Sequence, residues 1–378
     1  MNKSIKPKSL ILKALFLLFL IITGSVFTVS AQNEPALRVE PPFWWAGMKH
    51  SKLQLLVYGK NISGTSVDFS YQGIALRETT SVSNPDYLFL TLEMAPDVKP
   101  GSFDIRFIRN RKTEFTYRYE LRARREGSAS RQGFTASDVI YLLMPDRFAN
   151  GDPSNDNMPG MLEQANRSNP SGRHGGDIAG IKNHLGYLSD LGITALWINP
   201  LLENNNPAYS YHGYAITDFY RIDPRFGTNQ DYLDLVEQAH SKGIKVIKDM
   251  IFNHCGINHW FIRNLPMENW IHQHPEFTRS NFRAECISDP YASEADRTKM
   301  LTGWFDNHMP DFDQRNPLIT EYLIQNSIWW IEYAGLDGIR LDTQPYPYKE
   351  MIAEWGIRVA GEYPDFTIVG EAWLNKEG

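Results

Sequence analysis

The sequence predicts an α/β protein in two parts: a small all-β sandwich, then a run of βα repeats that builds part of a (β/α)8 barrel. Two observations predict this. Between about residues 34 and 122, short alternating segments recur between turn residues, at 53–58, 67–71, 87–92, 102–108 and 113–121. That is the pattern of half-buried strands in a sandwich. Beyond residue 133, short apolar runs at 139–144, 195–198, 245–248, 338–341 and 367–369 alternate with helical patterns at 178–191, 230–241, 318–334 and 348–362. Repeated strand–helix–strand order calls for a parallel sheet. A length of 378 residues allows two domains with a sizeable core, and 42% hydrophobic, 13% aromatic and 22% charged residues describe a globular chain with an aromatic surplus.

Taken in order, residues 1–31 read as an export signal: Lys3, Lys6, Lys8 and Lys13 precede an apolar run at 15–22, and Val29, Ser30 and Ala31 form a small-residue cleavage site. The run is shorter than the ~20 residues a membrane span needs, which favours cleavage over an uncleaved anchor. The expected location is therefore periplasmic or secreted, with no stable membrane span after cleavage. Loss of the four lysines takes the formal charge from −6 to −10, a surface unsuited to nucleic acid. Residues 34–122 form the sandwich, 123–133 a linker rich in Arg, Gly and Ser, and 134–378 the barrel part. Within the last, 255–316 is too long and irregular for an ordinary connection and reads as a subdomain inserted after the third barrel strand. Cys255 and Cys286 are the only cysteines. Either one disulfide or two buried thiols fits them, and no Cys/His spacing suggests zinc.

Chemistry concentrates at the strand ends, where barrel loops gather. The third strand runs into Asp249-Met-Ile-Phe-Asn253-His254, the fourth is Gly338-Ile-Arg340-Leu-Asp342, and the fifth leads to Gly370-Glu371-Ala-Trp373. Any one of these is a weak signal; in this order, at consecutive strand ends, they supply a pair of acids. Such a pair serves as nucleophile and acid/base when the two carboxyls face each other across a scissile glycosidic bond, roughly 5 Å apart. Arg340 lies two residues before Asp342, points to the same face and is expected to keep Asp342 ionised. Glu371, beside that anion and walled by Trp373, is expected to hold its proton.

These motifs resemble the α-amylase family of glycoside hydrolases, and within it the neopullulanase and cyclomaltodextrinase branch. Asp249 to His254, Gly338 to Asp342 and Ile368 to Trp373 resemble three of its motifs; 192–200 and 309–313 resemble its second-strand and inserted-subdomain motifs. The resemblance implies that Asp342 is the nucleophile and Glu371 the acid/base, that Arg340 and His254 hold nucleophile and sugar, and that Asn253 structures that loop. It also implies that Tyr214 stacks on the sugar and His212 binds its hydroxyls, although a Tyr pair packing a loop is the plainer alternative. Trp197 reads as core of the second strand. The family implies an immunoglobulin-like fold for the sandwich, α-1,4-glucans (maltodextrins, cyclodextrins or pullulan) as substrate, and a possible homodimer. Trp44 and Trp45 either stack on glucan or are buried against the barrel. A truncated, non-catalytic glucan-binding protein is the alternative to a hydrolase.

A second constellation, Asn150, Asp152, Asn155 and Asp156 with Gly175 and Asp177 downstream, offers the clustered oxygens that Ca²⁺ takes. It resembles the branch's calcium loop, with a structural role, and an Asn/Asp-rich turn is the alternative. One departure stands out. The family's third acid, an Asp preceded by His after a seventh strand, has no counterpart before Gly378, so a fragment of a longer protein is expected; five strands cannot close a barrel.

Overall fold

The computed structural model describes residues 37–373; the export-signal reading of residues 1–31 lies outside them. The first part is a sandwich of two four-stranded sheets. One has the order β1 (Arg38–Glu40), β3 (Lys52–Tyr58), β6 (Tyr87–Met94), β5 (Ile74–Ser81). The other runs β2 (Trp44–Ala46), β8 (Lys112–Ala123), β7 (Gly101–Arg109), β4 (Ser66–Asp68). On β7 the alternation is plain, with Phe103, Ile105 and Phe107 inside and their neighbours Asp104 and Arg106 exposed. β5 does not show in the sequence pattern because it is a half-exposed edge strand whose register shifts by a bulge between Leu76 and Glu78, which breaks the period of two.

β3 is buried on both faces, unlike a sandwich strand with one wet side. Its outer face meets the second part of the chain. The Gln54 N–H donates to Gln325 Oε1 at 2.7 Å, Gln325 Nε2 donates back to the Gln54 carbonyl at 2.7 Å, and Gln54 Nε2 donates to the Leu318 carbonyl at 2.9 Å. Phe43, Trp44 and Trp45 close the same seam; Trp44 and Trp45 are 3% and 4% exposed, and Phe43 and Trp45 pack on Trp329. These tryptophans are thus interface core, with no ring face left for a sugar. Arg124 extends the seam to Glu332 and Glu362 at 3.1 and 3.2 Å.

The second part is an open parallel sheet ordered β9 (Ile140–Leu143), β10 (Ala195–Ile198), β13 (Lys245–Ile251), β14 (Gly338–Asp342), β15 (Thr367–Gly370). A two-stranded ribbon of β11 (Leu202–Glu203) and β12 (Asp218–Ile222) branches off after β10. The connecting helices are α1 (Ile178–Asn183), α2 (Leu185–Asp190), α3 (Asn229–Ser241), α4 (Pro317–Ala334) and α5 (Lys349–Glu362). α3 starts on a capping box between Thr228 and Asp231. α4 starts on an Asn316 cap followed by Pro317 and stops at Gly335, whose φ of 78° suits glycine. α4 is buried almost all round because it lies between the parallel sheet and the sandwich.

The single helix expected at 178–191 is two. His184 Nδ1 donates to the Gly180 carbonyl at 2.8 Å, the oxygen that the His184 N–H would take in a continuous helix, and that N–H turns to Ile181 instead. No described helix is long and apolar enough to cross a membrane. Cys255 and Cys286 are both buried free thiols, so the disulfide alternative falls.

Candidate active site

The register of the parallel sheet assembles the site. Asp249 on β13 lies opposite Arg340 on β14, and Ile251 opposite Asp342, so side chains 91 residues apart share one layer at the strand ends. Arg340 Nη1 meets Asp249 Oδ1 at 2.8 Å and Asp342 Oδ1 at 2.7 Å, while its Nη2 lies 2.5 Å from Glu371 Oε1. One guanidinium therefore serves three carboxyls. Arg340 is itself pressed between rings, 5.0 Å from the Trp197 centroid and 5.8 Å from that of Tyr214.

Asp249 is fully buried and takes two further donors, the Trp197 indole at 3.0 Å and the Tyr214 hydroxyl at 3.1 Å. Trp197 is thus half-buried and bonded into the site, not merely core of its strand. Asp249 is the member that the motif reading left without a role. Its signal was present: an acid inside an apolar strand needs a partner. Glu371 is held by the Thr343 N–H at 3.0 Å and the Trp373 indole at 2.9 Å. Thr343 sits at φ 48°, an unusual conformation for a β-branched residue and one that clusters at functional sites.

The pKa directions at the site run against the protonation expected from the motifs. Burial, then the Asp249 anion, pushes the Asp342 pKa up to about 8, although Arg340 pulls the other way. Burial also works to raise Glu371, but the Thr343 N–H, the Trp373 indole and Arg340 outweigh it and hold its pKa below the usual value. The physical reason is a charge count. A single cation cannot neutralise three acids, so the cluster retains a proton near neutrality; Asp249 is relieved by three donors, Arg340, Trp197 and Tyr214, and the rise is larger at Asp342, which Arg340 alone serves as cation.

His254 and His212 flank this layer as neutral rings. Burial lowers the His254 pKa to about 3, and burial with the nearby His308 lowers that of His212 to about 4. His212 Nδ1 accepts the Tyr214 N–H at 3.0 Å, and His254 Nδ1 faces the Asn253 amide nitrogen at 3.3 Å, so each ring keeps Nε2–H as a donor. The His254 ring is fully buried and also lies against the Tyr214 backbone. Asn253 also reaches down to Asp311. These groups open into a cleft of about 640 Å³ lined by His212, Tyr214, His254, Asp342 and Glu371. Its far wall comes from the inserted subdomain and the loop after β14: Arg279, Phe282, Phe305 and Tyr346. Phe305 lies stacked on His254 at 5.3 Å. No local motif announced this wall, because its members come from separate loops. Trp373 is 74% exposed and forms the rim.

The second constellation gathers near α1. Asn150 Oδ1 and Asn155 Oδ1 are buried acceptors with no partner among the described residues, and Asn150 Nδ2 donates to Asp156 Oδ1 at 2.7 Å. Gly175, at φ 83°, closes over them: a Cβ there would fall 2.3 Å from Asp156 Oδ1. Two orphaned amide oxygens beside a carboxylate fit a hard cation. Asp177 and Asp152 are differently engaged. Asp177 caps α1 and accepts the N–H groups of Gly151 and Asp152 at 2.9 and 2.8 Å, and Asp152 caps Ser154.

The family description for the α-amylase catalytic domain matches residues 142–377, and that for the cyclomaltodextrinase N-terminal domain matches 38–125. The chain belongs to the α-amylase family. It is 36% identical over 245 residues to neopullulanase 2 of Thermoactinomyces vulgaris, covering 64% of this chain and 39% of that one. With cyclomaltodextrinase of Thermoanaerobacter pseudethanolicus it shares 31% over 249 residues, 64% of this chain and 40% of that one. The crystal structure of an α-amylase from Geobacillus thermoleovorans in complex with acarbose superposes with a TM-score of 0.51 at 34% identity, over 63% of this chain and 47% of the other. A cyclomaltodextrinase structure covers 90% of this chain and 60% of its own with a TM-score of 0.50 at 23% identity, which speaks for the shared sandwich-and-barrel fold. This α-amylase-family chain spans about two fifths of the length of those two curated relatives.

Proposed function

We propose that the site belongs to a retaining glycoside hydrolase that cleaves α-1,4-glucosidic bonds of maltodextrins, cyclodextrins or pullulan in starch utilisation. The observation that carries this reading is the layer of Asp342, Arg340 and Glu371 at adjacent strand ends, opening into one cleft beside two neutral histidines. In this mechanism Asp342 attacks the anomeric carbon while Glu371 gives its proton to the departing glycosidic oxygen, leaving a glycosyl ester on Asp342. Water, deprotonated by Glu371, then attacks the same carbon and releases the sugar and Asp342. The Nε2–H groups of His212 and His254 are placed to donate to sugar hydroxyls, and the exposed Trp373 ring to stack on a ring at the rim.

These opposed pKa directions set a requirement on the first step. The proton held on the Asp342 side must move to Glu371 as sugar enters. Arg340 touches both carboxyls, so a shift of the guanidinium toward Asp342 would lower one pKa and release the other. Hydrolysis of maltoheptaose by the full chain, lost in Asp342→Asn, tests the reading. Glucan binding without turnover in the unaltered chain would favour a binding protein instead.

Two further proposals accompany it. Asn150, Asn155 and Asp156 hold a structural Ca²⁺, supported by their orphaned oxygens, with Asp177, Asp152 and Gly175 shaping the loop. The chain is exported to the periplasm or medium, supported by the lysines and apolar run before Ala31; N-terminal sequencing of protein recovered from the periplasm or medium tests this.

A further inference from the structure

The loop between the candidate nucleophile and α5 reads Thr343-Gln344-Pro345-Tyr346-Pro347-Tyr348. Two prolines fix φ on either side of Tyr346 and leave the segment little freedom of its own. One end is tied at Thr343, whose N–H is held by Glu371. Tyr346 lies in the cleft wall, 5.6 Å from the Phe305 ring and 6.1 Å from that of Phe282.

The other end meets a buried polar cluster of the inserted subdomain. The Tyr348 hydroxyl is 3.3 Å from His272 Nε2, and the Arg315 guanidinium stands 5.2 Å from the Tyr348 ring centroid. His272 Nδ1 is bound to Asp311 Oδ2 at 2.7 Å. Its Nε2 is also 3.5 Å from Asp313 Oδ1 and from Arg315 Nη2, and Asp313 and Arg315 form a two-point pair at 2.8 Å each. His272, Asp311 and Asp313 are all buried. Burial pushes the Asp311 pKa up to about 7 against the pull of His272, so His272 is the partner that makes this buried acid tolerable. Backbone contacts carry the cluster onward: His254 bridges to Asp311, and the Phe312 N–H donates to the Asn253 carbonyl at 2.9 Å. His272 therefore stands between the loop that bears His254 and the loop that follows Asp342.

We infer that His272, held by Asp311 and bonded to Tyr348, is a latch that joins the inserted subdomain to the segment 343–348 and so sets the position of Tyr346 in the substrate cleft. His272, Asp311 and Tyr348 are positioning residues in this scheme, and none of them touches the reacting atoms. The inference rests on the hydrolase reading for the use of the cleft, but the latch itself is a statement about which segment holds which.

Tyr348→Phe keeps the ring and its Arg315 contact and removes only the hydroxyl. His272→Asn keeps a donor for Asp311 but is too short to reach Tyr348. Amide hydrogen exchange across 343–348, measured on the full chain, should quicken roughly three- to tenfold in each variant, the scale of one hydrogen bond, while peptides of the sandwich are unchanged. Because both substitutions open the same contact, the double variant should exchange no faster than the quicker single one. If the unaltered chain hydrolyses maltoheptaose, KM should rise several-fold in both variants with kcat little changed. Exchange in Tyr348→Phe equal to that of the unaltered chain, or fully additive effects in the double variant, would overturn the latch. Should His272→Asn fail to fold, Tyr348→Phe decides alone. Exchange is read whether or not turnover is detected, so loss of the hydrolase reading would leave this result standing.

Discussion

Arg340 Nη1 lies 2.7 Å from Asp342 Oδ1, two residues further along the same strand, and that short contact does not offset the burial and the neighbouring Asp249 anion that raise the Asp342 pKa. The guanidinium is shared with Asp249 and Glu371, and Asp249, Asp342 and Arg340 itself are withdrawn from water. Most of what can be tested at this site follows from that sharing.

The first consequence is a pH dependence of stability. The folded-state pKa of Asp342, about 8, is above its ordinary value of 3.8, so the folded chain binds this proton more tightly than the unfolded one. The resulting stabilisation is complete below the unfolded pKa and is lost as pH rises through the folded value. Asp249, raised by burial to about 6, adds in the same sense. Melting temperature should therefore fall as pH rises from the unfolded value of 3.8 to about 8 and level off above it, and Asp342→Asn should flatten the fall. An unchanged slope in Asp342→Asn, followed by calorimetry across that range, would contradict the proton's placement on the Asp342 side.

Arg340→Lys is expected to be severe despite conserving the charge. A compact ammonium cannot reach three carboxyls arranged around a planar fork, nor lie flat against Trp197 and Tyr214. Turnover should drop by about 10²–10³, the scale of losing one preorganised electrostatic partner. Steady-state kinetics on maltoheptaose would show it, and a loss under tenfold would mean that Arg340 serves the fold more than the chemistry.

For the Asn150 loop, the outcome is a metal-dependent melting temperature. At a free Ca²⁺ concentration of about a hundred times Kd the gain is about 2.7 kcal/mol, or a few degrees for a chain of this size. A chelator should remove it and added Ca²⁺ restore it. Asn155→Ala should abolish the response. A melting temperature indifferent to chelator leaves the loop as a hydrogen-bonded turn.

At the domain seam, Trp45→Ala should cost about 3–5 kcal/mol, the usual loss for a large aromatic taken out of a packed core. The same substitution should leave maltoheptaose affinity of the remaining folded protein unchanged, because the ring is 4% exposed. Denaturant unfolding and calorimetric titration check the two halves separately. Weakened binding with intact stability would return Trp45 to the role of a sugar platform.

The strands of the parallel sheet were legible in sequence because each is a short apolar run closed by polar residues. The acids were legible because they follow those runs directly. Asp342 and Glu371 needed no tertiary information to be singled out, and neither did His254 or Tyr214. β5 was hidden by a bulge and a wet edge, and the break at His184 by a side chain that takes its own helix's carbonyl. The wall of Phe282, Phe305 and Tyr346 was hidden because it is built from loops far apart in the chain.

What the sequence determined by itself is local: element types, the order of the strands, and which residue types stand at their ends. The tertiary structure decided the partners. That Arg340 would be divided among Asp249, Asp342 and Glu371, that Trp197 would bond Asp249, and that Trp44 and Trp45 would vanish into a seam all depend on inter-strand register and on which faces pack together. The protonation pattern came out opposite to the local expectation for the same reason. A pKa depends on burial and on every charge within reach, and those are properties of the assembled layer, not of Arg340 and Asp342 read two residues apart.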